Sequence, residues 1–183
     1  MRILYITLLL LMRLPAFGQA PGPAELLEKT IAENEFAGVA AGFSIVGDST
    51  WAYGAGYSNV ENKEAFTGQT VTQIASLVKP MTAIAMMQLW EQGKVRLDDP
   101  IQKYVPDFPV KKEGPVTVRQ LLNHTSGIGG YASEAARENR KNYTTLAEAV
   151  AVFKDNDLVS PPGTAYYYST YGYVLLGRLI ENV

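Results

Sequence analysis

The sequence predicts an α+β fold, with a β-hairpin near the N-terminus and helices in most of the remainder. Two stretches rich in apolar, small and aromatic residues, 39–46 and 50–57, flank Gly47-Asp48-Ser49, which is the pattern of two strands joined by a tight turn. Farther along, segments 76–92 and 173–183 carry apolar residues with the periodicity of helices. Strands and helices are therefore expected in separate parts of the chain.

The first twenty residues have the pattern of a secretory signal peptide. Arg2 supplies the positive start, Ile3–Met12 is an apolar run too short to span a bilayer, and Gly18-Gln19-Ala20 resembles a cleavage site. We therefore expect a signal peptide at residues 1–20, export to the periplasm or the extracellular space, and no stable membrane insertion after cleavage. An uncleaved anchor or a lipid-linked form is the alternative, although no Cys stands at position 20 or 21 to accept a lipid.

A short helix is expected between this segment and the hairpin. Leu26, Leu27 and Ile31 recur among the Glu and Lys residues of segment 23–34, as in an amphipathic helix. After the hairpin, residues 66–71 resemble a loop, so only two strands are predicted. An isolated hairpin is marginally stable without further strands.

The segment 76–92 is the most informative one. Its apolar residues cover nearly every side of a helix, which predicts a buried helix rather than an amphipathic one. Pro80 would break a helix interior, so the helix must begin close to Ser76. Gly93 is placed to cap its C-terminus. Ser76 is therefore expected at the N-terminus of a buried helix.

Shorter helices are predicted in the second half of the chain. Asp99-Pro100 opens one that runs to Tyr104 and stops before Pro106. Two others begin at capping-box patterns, namely Thr117 with Gln120 and Thr145 with Glu148. The last helical pattern is still apolar and uncapped at Val183, which together with the small number of strands suggests a truncated domain spanning residues 21–183.

Composition excludes several classes of function. The net charge is −2 without a long basic block, so nothing indicates a nucleic-acid partner. The sequence has no Cys, which removes disulfides, thiol catalysis and cysteine-based zinc sites. A single His, His124, makes a histidine-built metal site very unfavourable and excludes a Ser-His-Asp triad unless that residue, or a His outside this chain, serves in it. No metal and no organic cofactor are expected.

Ser76 and Lys79 form an S-x-x-K motif. Three residues along a helix rise roughly 4.5 Å and return to nearly the same face, so the Lys amine can reach the Ser hydroxyl. A Ser hydroxyl needs such a basic group to become a nucleophile. The alternative is that Ser76 is a helix cap and Lys79 a solvated residue of the first turn. A Lys on the most buried helix nevertheless favours a functional role.

Three other positions carry groups that could take part in chemistry. Tyr168 follows a Pro-Gly turn and precedes a helix, where its hydroxyl could act as a general base, although it could equally pack like its aromatic neighbours. His124 is interpreted as structural, with its ring bonding backbone groups and holding a turn. Asp98 and Asp99 are interpreted as helix capping rather than a catalytic carboxylate pair, because Pro100 follows directly.

Several blocks in a fixed order resemble one family, the β-lactamase-related serine hydrolases. These blocks are Ile74–Ala83, Leu89–Pro100, Leu121–Ile128, Pro162–Ser169 and Gly172–Gly177. The family includes class C β-lactamases, D-Ala-D-Ala carboxypeptidases, D-aminopeptidases and some esterases. The resemblance implies a serine β-lactamase/DD-peptidase fold, represented here by an N-terminal β-hairpin and most of the helical subdomain, with the C-terminal strands missing.

The resemblance also implies roles for four residues. Ser76 is the acylated nucleophile, Lys79 its proton-handling partner, and Tyr168 the general base and acid. Thr170 stands where the family usually has an Asn that hydrogen-bonds both the substrate and the Lys, and Thr offers only a shorter hydroxyl. The Tyr-Ser-Thr variant resembles the subgroup of mitochondrial serine β-lactamase-like proteins, which favours small peptide or ester substrates over β-lactam-like ones.

The family's third motif, Lys-Thr-Gly or His-x-Gly on a sheet strand, does not occur in this sequence. That strand normally supplies the second N–H of the oxyanion hole, so we expect the chain to be inactive alone. The function expected of the full-length protein is hydrolysis of an amide or ester bond through an acyl-enzyme, as in a peptidase, D-Ala-D-Ala carboxypeptidase, esterase or β-lactamase-like enzyme. A non-catalytic relative that binds peptide or peptidoglycan is the alternative.

Overall fold

The computed structural model describes residues 21–47, 49–131, 133 and 141–183. The signal peptide expected at residues 1–20 and Asp48 of the predicted turn lie outside the described residues, so export stays a prediction. The chain divides into two compact units, with the boundary between Thr72 and Gln73. Within the described ranges, no helix combines the length and the apolar character that crossing a membrane requires.

The first unit contains the predicted hairpin. Helix α1 (Pro23–Glu33) precedes strands β1 (Gly38–Ser44), β2 (Thr50–Asn59) and β3 (Glu64–Ala65), which form an antiparallel sheet in the order β1-β2-β3. The helix and the hairpin confirm the sequence pattern. Strand β3 was not predicted, because it is only two residues long and follows a register irregularity between Tyr57 and Asn59.

Side-chain size shapes this sheet. Phe43 pairs with Trp51 across β1 and β2, and their rings stack with centroids 5.5 Å apart. A Cβ at Gly54 of β2 would lie 2.6 Å from the backbone of Thr67. Only glycine at this position therefore allows the backbone around Thr67 to pass so close to β2. Ala55 is the one fully buried hydrophobic residue among the described residues of this unit.

The second unit is helical and holds the main core. Its elements are a 3₁₀ turn (Ala75–Leu77), α2 (Val78–Glu91), a second 3₁₀ turn (Ile101–Lys103), α3 (Val118–Leu122), α4 (Leu146–Ala151) and α5 (Thr170–Asn182). Buried side chains from all of the helices meet in one cluster. The largest of its fully buried members are Phe108, Met86, Ile101, Leu121, Leu175, Leu176 and Leu179.

Side chains of Thr and Ser cap the N-termini of α3, α4 and α5. Thr117 and Gln120 form the predicted reciprocal capping box at α3. At α4, the side chain of Thr145 accepts the N–H of Glu148 as predicted, but the Glu148 carboxylate binds the N–H and hydroxyl of Thr144 instead of closing a box. Helix α5 begins earlier than the predicted Tyr173, because the Ser169 hydroxyl accepts the N–H of Gly172 and caps the preceding turn.

The prediction that the helix in segment 76–92 is buried is wrong for most of α2. Only Lys79 and Met86 are buried on this helix, whereas Met81, Ile84 and Trp90 are each more than half exposed. Within its unit, α2 packs mainly against α5 and the 3₁₀ turn before it. Apolar residues on every side predict burial only if neighbouring elements cover every side, which a periodicity pattern does not report.

Candidate active site

Ser76 and Lys79 lie where the 3₁₀ turn meets α2. The Lys79 ammonium donates to Ser76 Oγ, with Nζ and Oγ 3.0 Å apart. Pro80 is the third residue of α2, where its missing N–H removes no intrahelical bond. Ala75 has a φ of +46°, which is unusual for a residue with a Cβ, and it turns the chain sharply just before Ser76. The predicted i, i+3 contact is therefore present.

Lys79 is buried, and both oxygens and aromatic rings surround its amine. The side chain is 7% exposed. Its Nζ lies 3.4 Å from Thr170 Oγ1, 4.8 Å from the ring centroid of Tyr168 and 5.9 Å from that of Tyr173. Hydroxyl acceptors and ring faces together compensate a cation for lost water. The structure therefore supplies partners for a charge that would otherwise be costly to bury.

Tyr168 completes the contacts of Ser76. Its hydroxyl oxygen lies 2.8 Å from Ser76 Oγ, although the two residues are 92 positions apart in the chain. Its interaction with Lys79 is the main cause that lowers the pKa of Tyr168 below its ordinary value, and the hydrogen bond to Ser76 adds to it. The Tyr168 side chain is 47% exposed, so the phenol is open to solvent while Lys79 is not.

His124 holds the segment that carries Tyr168. Its Nδ1 accepts the N–H of Ser169 at 3.1 Å, and its carbonyl oxygen accepts the N–H of Tyr167 at 2.8 Å. The imidazole ring also packs on the rings of Tyr168 and Tyr173, with centroids 4.6 and 5.1 Å apart. The structural role predicted for His124 is thus confirmed, and the ring touches a residue of the site.

Thr170 is the first residue of α5, directly after the Ser169 cap. Its hydroxyl oxygen faces Lys79 Nζ at 3.4 Å. The position matches the lysine contact implied for the usual Asn, while contact of Thr170 with substrate stays a prediction. All four residues expected at the site, Ser76, Lys79, Tyr168 and Thr170, are thus brought together in the second unit.

A family model described as Beta-lactamase matches residues 24–183, nearly the whole described chain. The chain belongs to this family. The serine β-lactamase-like protein LACTB, a mitochondrial protein of Homo sapiens, is 30% identical over 86% of the chain and 41% of its own length. Protein flp of Staphylococcus aureus (strain N315) is 35% identical over 71% of the chain and 26% of its own length.

Solved structures of the family agree with the fold. The octameric penicillin-binding protein homologue from Pyrococcus abyssi matches with a TM-score of 0.67 and 36% identity, over 84% of this chain and 36% of its own. D-amino acid amidase from Ochrobactrum anthropi SV3 matches with a TM-score of 0.68 and 32% identity, over 86% and 43%. The chain therefore has the fold of β-lactamases and penicillin-binding proteins, and it spans about two fifths of the length of its mitochondrial relatives.

The acidic pair Asp98-Asp99 lies outside this β-lactamase-type site. Asp98 accepts two hydrogen bonds from the Arg119 guanidinium, which lowers the pKa of the carboxyl group. Asp99 binds the Lys103 ammonium and the Tyr104 hydroxyl, each at 2.6 Å. Neither side chain caps the turn at Ile101, so the capping prediction was wrong, although both carboxylates are structural rather than catalytic in their contacts.

Sequence reasoning did not detect how directly His124 supports the site. The signal was present, because His124 was the only His and stood in a turn between two helices. Its backbone φ of +61° and its partner Ser169, 45 positions away, depend on tertiary structure. A sequence pattern cannot show which of its ring nitrogens is used, or for what.

Proposed function

We propose that this chain carries the acylating centre of a serine hydrolase that acts on amide or ester bonds. The observation that carries the proposal is the pair of contacts at Ser76 Oγ, 3.0 Å to Lys79 Nζ and 2.8 Å to the Tyr168 hydroxyl. Both distances are within the range for proton transfer between a nucleophile and its base. Because Lys79 is charged and buried, these contacts indicate a catalytic role rather than packing alone.

In the proposed reaction, Tyr168 starts as the phenolate, and Ser76 Oγ attacks the carbonyl carbon of the substrate while its proton passes to the phenolate oxygen. Tyr168 serves as the base because Lys79 lowers its pKa, which makes the phenolate available at a lower pH, and because the half-exposed residue is accessible to a bound substrate. The tetrahedral intermediate then collapses, the C–N or C–O bond breaks, and the proton moves from Tyr168 to the leaving amine or alcohol. Water, activated in the same way, attacks the acyl-enzyme and releases the acid.

Lys79 has an electrostatic role in this scheme. Its buried ammonium stabilises the phenolate of Tyr168 and the developing charge on Ser76 Oγ, and Thr170 helps to orient it. The backbone N–H of Ser76, close to the N-terminus of α2, is the proposed oxyanion donor. In family members the second donor comes from the third motif, which is absent from these 183 residues.

For the substrate, we propose small amides or peptides. The structural neighbour from Ochrobactrum anthropi is a D-amino acid amidase, which supports cleavage of an amide bond in this family at 32% identity. Thr170, in place of the usual Asn, leaves a shorter polar group at the position implied to bind substrate. The alternative is a relative that binds such ligands without turnover, and the contacts among Ser76, Lys79 and Tyr168 argue against it.

Labelling with a fluorophosphonate probe tests the proposal. The product of the complete gene and the 183-residue chain are both treated with the probe, and modified peptides are mapped by mass spectrometry. We expect label on Ser76 of the complete product, none on its Ser76→Ala variant, and little on the 183-residue chain alone. A folded complete product that takes no label at Ser76 would favour the binding protein over the hydrolase.

A further inference from the structure

His124 makes three different contacts with the segment that carries the catalytic tyrosine. Its Nδ1 accepts the Ser169 N–H, its carbonyl oxygen accepts the Tyr167 N–H, and its ring lies 4.6 Å from the ring of Tyr168, centroid to centroid. The backbone on both sides of Tyr168 is therefore bound to one residue. The contact of the Tyr168 hydroxyl with Ser76 depends on where these bonds place the segment.

The bond from Ser169 defines the protonation state of the imidazole. A ring nitrogen that accepts an N–H must carry a lone pair, so Nδ1 is unprotonated and the neutral ring carries its proton on Nε2. In the imidazolium form, both nitrogens are donors. An N–H on Nδ1 would then point at the N–H of Ser169, and the hydrogen bond would be lost.

We propose that neutral His124 is a positioning residue for catalysis, and that its protonation releases the Ser169 backbone and withdraws Tyr168 from Ser76. This inference rests on the proposed serine hydrolase function, because it assigns a consequence to the position of Tyr168. His124 does not touch the reacting atoms. Its effect on the reaction is exerted through the backbone of Ser169 and through the ring of Tyr168.

The groups around the ring make its charged form unfavourable. Lys79 of α2, Tyr173 of α5, and Tyr166 and Tyr168 of the connecting segment are the titratable groups that face it. Burial, followed by repulsion from the Lys79 ammonium, lowers the pKa of His124 below its ordinary value of 6.5. The unfolded chain therefore protonates His124 at a higher pH than the folded chain does. The stability that the neutral ring supplies above pH 6.5 is lost as the pH falls through the pKa of His124 in the folded chain.

The backbone at His124 suggests a matched pair of variants. Its φ of +61° is in the left-handed region, which Asn tolerates better than most residues with a Cβ. His124→Asn keeps an acceptor near the position of Nδ1 but cannot titrate. His124→Phe keeps a ring against Tyr168 but has no acceptor for Ser169. The two variants separate the hydrogen bond from the packing.

The rate of Ser76 labelling, measured from pH 4.5 to 8.5 on the complete gene product, tests the proposal. We expect the ratio of the wild-type rate to the His124→Asn rate to fall through an acid step below pH 6.5, because only the wild type loses its acceptor there. His124→Phe should label about 2- to 10-fold more slowly than His124→Asn at pH 8, the cost of one hydrogen bond. A constant ratio across the pH range, or equal rates for the two variants, would overturn the proposal.

A second measurement does not depend on activity. Imidazole ¹⁵N NMR, with the His124 signals assigned by their absence from His124→Asn, reports the tautomer and the titration midpoint. We expect the Nε2–H tautomer at neutral pH and a midpoint that coincides with the acid step in labelling. An Nδ1–H tautomer would contradict the positioning role even if Ser76 is labelled. Failure of the wild type to label at any pH, with the expected tautomer, would instead refute the hydrolase function alone.

Discussion

Lys79 and Tyr168 both reach the hydroxyl of Ser76, but they are held by different kinds of structure. Lys79 is three residues from Ser76 at the start of α2, and it is 7% exposed. Tyr168 is 92 residues away on a connecting segment, and it is 47% exposed. One side of the site is therefore local and buried, and the other side is assembled over a long range and open to solvent.

This difference separates the tasks of the two groups. A buried ammonium acts strongly on nearby charges because water does not screen it, so Lys79 suits electrostatic work. An exposed phenol can meet a substrate and exchange protons with it, so Tyr168 suits proton transfer. Substitutions at Lys79 should therefore affect the reaction by removing a charge, and substitutions around Tyr168 should affect it by moving the Tyr168 hydroxyl away from Ser76.

The largest effect is expected from Lys79→Met, which removes the buried charge and keeps most of the volume. We expect the rate of Ser76 labelling to fall about 10³-fold or more, since the phenolate and the nucleophile lose their cation. The free energy of unfolding should stay the same or rise, because a buried charge is replaced by an apolar side chain. Probe kinetics and urea unfolding measure the two quantities.

Lys94→Met is the matched control, because Lys94 is an exposed lysine just beyond the other end of the same helix. It should leave both the labelling rate and the stability near those of the wild type. If Lys79→Met lost activity only in proportion to a loss of folded protein, the electrostatic role assigned to Lys79 would be wrong.

Tyr168→Phe tests the open side of the site. The ring remains to pack on His124, but the hydroxyl that contacts Ser76 is lost, so labelling should slow about 10²-fold or more. Thermal unfolding should change little, since the residue is nearly half exposed. Tyr167→Phe, at an adjacent tyrosine that is 44% exposed, is the control. Comparable losses in the two variants would argue against a specific role for Tyr168.

The coupling between the two sides has a measurable pH dependence. Lys79 is the main cause that lowers the pKa of Tyr168, so the phenolate forms at a lower pH than for an ordinary tyrosine, whose pKa is 10.0. Labelling of the wild type should therefore rise with pH through a midpoint below 10.0. In Lys79→Met, the titration midpoint of Tyr168 should move to higher pH. Tyrosine ¹³C NMR follows this midpoint, and the Tyr168 signal is assigned by its absence from Tyr168→Phe. An unchanged midpoint would mean that the two groups are not coupled.

The same contrast explains what could be predicted from the sequence. The Ser76–Lys79 contact and the Thr117–Gln120 capping box were predictable, because each joins residues only three apart at the start of a helix. The contact of Tyr168 with Ser76 was expected only through the resemblance to a family, since no local rule pairs residues 92 positions apart.

Other features could not be predicted because they depend on what packs beside them. The exposure of Ile84 and Trp90 is decided by which sides of α2 its neighbours cover, not by the residues of the helix itself. Strand β3 depends on a register irregularity in β2. For the acidic pair, Asp98 binds Arg119, 21 positions away, and Asp99 binds Lys103 of the turn itself, so a rule that assigns these carboxylates to helix capping failed.

A smaller effect is expected at Thr170, where the two sides of the site meet. Thr170→Val keeps the shape but removes the hydroxyl that lies 3.4 Å from Lys79 Nζ, so labelling should slow about 2- to 10-fold, the equivalent of one hydrogen bond. Thr170→Ser retains the hydroxyl and should stay closer to the wild type. If Val and Ser gave the same rate, the Thr170 hydroxyl would have no part in orienting Lys79.

The smallest effect is expected at Ala75, which turns the chain before Ser76 with a φ of +46°. Glycine adopts this conformation without a steric cost but also loses more entropy on folding, so Ala75→Gly should change the free energy of unfolding by less than about 1 kcal/mol. Ala75→Val, which is β-branched, should be destabilised more. Chemical denaturation measures both. Since glycine keeps the turn and the turn lies only on the local side of the site, Ala75→Gly should keep the contact of Ser76 with Lys79 and leave the titration of His124 unchanged. A shifted His124 midpoint in Ala75→Gly would show that the two sides are less independent than their structures indicate.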